Sequence, residues 1–153
     1  IEKHRFIICL NKNMERRITQ KYIDYLSKEI IGCAIEINKE LGPGLLESAY
    51  EKCMVYLLRK KGFKVESQLE VPIMFHDLLV DKGYRLDLLV EDLIIVELKA
   101  VSELSSIYKA QLLTHLRFMK KPKGILINFH CSNIFYEGQQ TFITQEYSKL
   151  PVE

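Results

Sequence analysis

Tyr84-Arg85-Leu86-Asp87-Leu88-Leu89-Val90-Glu91-Asp92-Leu93-Ile94-Ile95-Val96-Glu97-Leu98-Lys99 sets three charged residues, Asp87, Glu97 and Lys99, inside sequence that otherwise reads as buried β-strand. Burying charge is costly unless it is paired or bound to metal. Folded as a hairpin about the loop Glu91-Asp92-Leu93, the stretch brings Leu86 against Leu98, Leu88 against Val96 and Val90 against Ile94, which makes one wholly apolar face. The same register puts Asp87 opposite Glu97, and Lys99, two residues on, shares a face with Glu97. The apolar pattern alone therefore gathers two carboxylates and a lysine.

Two carboxylates with Cβ atoms ~5 Å apart on paired strands repel when ionised, and a divalent cation between them relieves the repulsion. Mg²⁺ suits such a site, because it takes oxygen ligands, keeps several waters and shares its shell with substrate phosphate. A neighbouring lysine can orient or deprotonate a water, or hold the phosphate and its developing charge. The expected chemistry is metal-assisted hydrolysis of a phosphodiester. The same spacing also suits an ion pair between Lys99 and either acid at the end of a sheet.

Working outward, a helical period starts after a candidate N-cap, Thr19, with Ile23, Leu26, Ile30, Cys33, Ile37 and Leu41 on one stripe, and Gly42-Pro43-Gly44 ends it. A second helix carries Leu46, Ala49, Tyr50, Cys53, Leu57 and Leu58, and closes on Arg59-Lys60-Lys61 and Gly62. The segments 63–71, 72–80, 84–90 and 93–99 then read as short strands of an antiparallel meander. Ser105 or Ser106 caps a third helix with Ile107, Ala110, Leu113 or Leu112, Leu116 and Met119, and Gly124–Phe129 is a compact buried strand. Strand, helix and buried strand make a βαβ unit. Residues 134–136 read as a last strand. Residues 1–18 are expected to be an N-terminal arm or leader, 19–137 the domain, and 138–153 a polar tail.

The 153 residues, 48% hydrophobic and 27% charged, describe one ordinary globular domain rather than a disordered chain, coiled coil or repeat array. A net charge of +2 is too small to announce nucleic acid by bulk electrostatics, so any phosphate-binding surface must be local. Local candidates are Arg59, Lys60, Lys61 and Lys64 near one helix end and Arg117, Lys120, Lys121 and Lys123 near another. No apolar run reaches the ~18 residues of a membrane span, which leaves the cytoplasm as the expected location and no membrane as partner. The four cysteines have no zinc-type spacing and read as reduced, packed thiols.

Asp87 followed by Glu97-Leu98-Lys99 on the next strand, and then by a helix with Gln111, resembles the signature of the PD-(D/E)XK nuclease superfamily. Gly44-Leu-Leu-Glu47-Ser-Ala-Tyr50 is similar to the motif of the bacterial and archaeal GxxExxY family within it. Val71-Pro72-Ile73, Arg85-Leu-Asp87, Val96-Glu-Leu-Lys-Ala100, Ala110-Gln-Leu-Leu113 and Leu126-Ile-Asn-Phe129 extend the resemblance over residues 20–137. It implies a restriction-endonuclease-like α/β fold of α+β character. In that fold a central mixed sheet is flanked by helices in αβββαβ order, here with an additional N-terminal helix. It also implies Asp87, Glu97, Glu47 and the backbone carbonyl of Leu98 as ligands of Mg²⁺ or Mn²⁺, and Lys99 and Gln111 as further catalytic residues. Tyr50 is implied as a contact to substrate or to a catalytic carboxylate. His115 and Tyr108 depart from the pattern, an aromatic and a histidine being expected there.

The leading expectation is a metal-dependent nuclease acting on nucleic acid, DNA first, possible as a homodimer or with a protein partner. The competing class is a non-catalytic nucleic-acid-binding or protein-interaction module that keeps the fold.

Overall fold

The structure, a computed structural model, describes residues 17–153. The arm read over 1–18, apart from Arg17 and Ile18, lies outside the described residues. Helix α1 (Gln20–Leu41) starts where expected, with the Thr19 hydroxyl accepting from the Tyr22 N–H at 3.1 Å. Its stripe Ile23, Leu26, Ile30, Cys33 and Ile37 is buried. Gly42 ends it at φ 66°, a conformation that costs a residue without a side chain little, while its N–H still reaches Asn38 O at 2.8 Å. Helix α2 (Glu47–Lys60) buries Tyr50, Met54 and Leu58, and Leu46, expected on its stripe, is left in solvent.

Three long strands replace the four short segments. β1 (Val65–Phe75) runs through Pro72, β2 (Leu78–Val90) answers it across a turn at His76-Asp77, and β3 (Ile94–Lys99) follows the expected three-residue loop. Pro72 is tolerated because β1 is the sheet edge and the pairing register shifts between Val71 and Ile73 at that point. Gly83 allows Ile73 to lie across β2, since a Cβ at Gly83 would stand 2.3 Å from Ile73 Cγ1. Helix α3 (Ser106–Met119), capped by the Ser105 hydroxyl, crosses over to β4 (Lys123–Asn128), which pairs parallel with β3. The sheet order is β1-β2-β3-β4-β5, and β3–β4 is its one parallel pairing. The mixed sheet flanked by helices is the restriction-endonuclease-like α+β architecture that the element order implied.

The last strand is displaced from its expected place. Residues Ile134–Gly138 form a π-helical turn that buries Ile134 and Gly138, while Phe135 and Tyr136 stay exposed and Asn133 caps the Tyr136 N–H. Strand β5 (Gln139–Ile143) and a short helix α4 (Gln145–Ser148) occupy the stretch read as a tail. β5 is an edge strand with polar residues to solvent, so it carries little apolar signal. Beyond it, Pro151 O and Val152 O accept from the first N–H groups of α1.

Two apolar layers cover the sheet. α1 and α2 pack on one face with Leu88, Val90, Ile94, Val96 and Leu98, and α3 packs on the other with Leu86, Leu89, Ile95 and Leu126. The pairs Leu88↔Val96 and Val90↔Ile94 agree with the expected register. Leu86 does not share that face. At Gln68, φ 52°, β1 steps out of the ladder, and the pairing passes from Ser67↔Leu88 to Leu69↔Leu86 without a Gln68–Asp87 pair. β2 thus changes faces around Asp87, a bulge-like break that turns Leu86 under α3.

The strand ends are tied by Asn128, whose side chain accepts from the Val101 and His130 N–H groups and donates to Val101 O at 2.9 Å. Asn128→Ala is expected to lose about 1–3 kcal/mol by leaving these partly buried backbone groups without their side-chain partner, measured as a lower urea midpoint with unchanged slope.

Candidate active site

The break in β2 frees Asp87 from strand pairing, and its Oδ2 accepts the backbone N–H of Leu98 at 2.8 Å. Glu97, on the α3 side of β3, is 8% exposed and in side-chain hydrogen-bond contact with Asp87. Lys99 follows at the strand end with Nζ 4.6 Å from the centre of the Tyr108 ring. These three residues, Glu47 and Gln111 line one cleft of about 620 Å³ between α3 and the β1–β2 ribbon. Five of the residues singled out from sequence are therefore brought together.

Glu47 begins α2, where the helix dipole favours a carboxylate. It is half-buried, and burial raises its pKa, while Lys99 lowers it and Asp87 raises it again. Tyr50 is fully buried, and the expectation that it contacts substrate or a catalytic carboxylate is corrected. Its hydroxyl donates to Gly42 O at 2.6 Å and accepts the Leu45 N–H, and its ring stacks on Phe129 at 4.3 Å. Tyr50 thus fixes the loop that delivers Glu47. Leu98 buries its side chain and offers Asp87 its N–H; a ligand role for its carbonyl belongs to the proposal below.

His115 was seen in the sequence only as a departure, yet its Nδ1 lies 3.3 Å from Glu97 Oε1 and its ring stacks on Tyr84 at 4.5 Å. Tyr108, the other departure, is the ring beside Lys99. The spacing of His115 and Tyr108 to Gln111 on one helix was the signal available. The Tyr84 hydroxyl is buried with no partner among the described residues. The basic clusters are mostly engaged elsewhere: Arg59 on Val65 O, Lys61 on Glu29, Lys64 on Glu66, Lys121 on Asp92 and Lys123 on Asp24.

Burial pushes Glu97 up to about 7, and the Asp87 carboxylate pushes the same way against the pull of His115. A carboxylate this perturbed in a cleft, touching a second carboxylate and near a lysine, is a site suited to acid–base or metal-assisted chemistry. Among the described residues no three His, Cys, Asp or Glu side chains converge as a ready-made cage.

A mixed sheet with an acid at the break of one strand and an acid-x-lysine at the end of the next defines a nuclease-type α+β protein. Residues 24–140 match the family model of the PD-(D/E)XK nuclease superfamily, and the chain belongs to that superfamily. No curated protein and no solved structure is significantly similar to it. Membership carries a phosphodiesterase at the coarse level, with nucleic acid as the substrate. Among the described residues no helix is long and apolar enough to cross a membrane.

With its pKa raised from 4.5 to about 7, Glu97 in the folded protein holds a proton that the unfolded chain has released, so stability falls as pH rises through that window. Glu97→Gln, which can still donate to Asp87 and accept from His115, is expected to flatten that slope and raise the melting temperature above pH 7, followed by thermal melts in EDTA from pH 4 to 8.

Proposed function

We propose that the protein is a divalent-metal-dependent nuclease that hydrolyses phosphodiester bonds in nucleic acid at the Asp87–Glu97–Lys99 cleft. The observation that carries this reading is the contact of two carboxylates, one of them buried with a raised pKa, where among the described residues neither is paired with a lysine or arginine and only the His115 ring reaches Glu97. Oxygen donors that destabilise one another fit a hard cation, and an incomplete protein cage fits Mg²⁺ or Mn²⁺, which retain waters and accept substrate oxygens. Asp87 and Glu97 would hold the ion, with Glu47 from α2 and the Leu98 carbonyl as further ligands. When bound, such an ion supplies Lewis-acid charge and a water of lowered pKa.

The chain's own residues do the rest. Lys99 lines the cleft with its ammonium beside the Tyr108 ring, from which it would hold a phosphate oxygen and stabilise charge developing on it. Gln111, exposed on the α3 wall, can donate to a second phosphate oxygen or orient Lys99. His115 holds Glu97 in one orientation through Nδ1, the kind of outer support that sets ligand geometry. The likeness of Gly44–Tyr50 to the GxxExxY motif supports the assignment of Glu47.

Purified protein is to be incubated with labelled DNA and RNA in Mg²⁺, Mn²⁺ or EDTA. Metal-dependent cleavage that falls about a hundredfold or more in Lys99→Ala is expected. Mn²⁺ is expected to stabilise the wild type and Lys99→Ala alike, by about 2–3 kcal/mol at roughly a hundredfold over Kd, and to leave Glu97→Gln unmoved. Absence of both cleavage and metal stabilisation would sink the proposal and favour a binding module.

A further inference from the structure

Helix α3 presents two apolar faces. Leu112 and Leu116 enter the core, while Ile107 and Phe118 line the cleft and remain 54% and 48% exposed. Gln111 and His115 lie between them at helical spacing, and Ile73 and Tyr84 face them from the β1–β2 ribbon. Arg85 is exposed in the same cleft, and its guanidinium forms no ion pair or hydrogen bond among the described residues.

We infer that this cleft receives an unpaired strand of nucleic acid, with bases against Phe118 and Ile107 and a phosphate held by Arg85. The inference rests on the reading of the carboxylate–lysine site as a phosphodiesterase centre and names the substrate it takes. A duplex hides the apolar faces of its bases and presents phosphates, sugars and polar base edges. Exposed aromatic and aliphatic walls gain contact only with bases that are splayed out of a stack. A protein that tracks a duplex needs several lysines and arginines free for phosphates. Here five of the eight candidates are spent on Val65 O, Glu29, Glu66, Asp92 and Asp24. The cleft's about 620 Å³ falls in the small-ligand range of roughly 300–1,000 Å³, room for a nucleotide or two beside the carboxylates. Continuity of the apolar walls with the acids is what makes a strand, rather than a protein surface, the occupant.

The test is fluorescence anisotropy with labelled eight-nucleotide single strands and a labelled hairpin duplex, in Mn²⁺, on Lys99→Ala as parent so that the strand stays intact. Single strands are expected to bind at least about tenfold more tightly than duplex. Adding Phe118→Ala is expected to weaken single-strand binding roughly five- to hundredfold, the loss typical of one base–aromatic stack, whereas Phe118→Tyr restores it and Arg85→Ala weakens binding and makes it less sensitive to salt. Phe118 is on the surface, and unchanged melting temperatures would show that the variants fold. Equal or tighter duplex binding, no effect of Phe118→Ala, or no binding of either oligonucleotide would overturn the inference. So would a wild-type dimer that Phe118→Ala dissociates, since the wall would then be a protein interface. Mn²⁺ stabilisation of the wild type, measured beside these assays, separates the two readings. If it persists while strand binding fails, only the inference falls; if it is absent, the metal-dependent reading falls, whatever binds.

Discussion

The contact between Asp87 and Glu97 is the constraint to which the rest of the site answers. Two acids meet where β2 leaves its ladder, and one of them is almost wholly withdrawn from water. Burial first, and the neighbouring Asp87 carboxylate second, push the Glu97 pKa up to about 7, while His115 pulls the other way and steadies the side chain. That cost is tolerated by a protein whose core is otherwise apolar on both sheet faces. A frustrated pair of this kind is where a cation or a proton would exert the most leverage.

Support for the pair comes from elements far apart in the chain. Phe129, at the end of β4, accepts the stacked ring of Tyr50 and donates its N–H to Lys99 O, so one residue touches both the helix that begins with Glu47 and the strand that ends with Lys99. Asn38 on α1 donates to Phe129 O and Cys131 O, and Asn128 closes the loop after Lys99. The glycine-led motif before α2 is thereby explained by geometry: the glycines turn the chain, the tyrosine fastens the turn, and the glutamate is the group delivered to the cleft.

Much of this was legible beforehand, for reasons that attach to particular residues. Helix caps at Thr19 and Ser105 are local hydrogen bonds between neighbours in sequence. The β2–β3 register followed from apolar alternation across a short loop, because a slip by one residue would invert both faces. What failed were features that long-range contacts decide. Pro72 reads as a break until the strand is known to lie at the edge, and β5 reads as tail because its polar residues face water.

The sequence by itself determined the order of elements from the first helix through β4, the superfamily, and the convergence of Asp87, Glu97 and Lys99, since periodicity and short-range pairing dictate which face each residue takes. Only the tertiary structure decided that Leu86 and Leu88 part to opposite faces, that His115 grips Glu97, and that α3 keeps a second apolar face open toward the cleft. Those outcomes depend on the interruption of pairing between Gln68 and Asp87 and on the distance between a crossover helix and a strand it does not adjoin in sequence. Neither is encoded in any local pattern, because each is set by how the two layers pack.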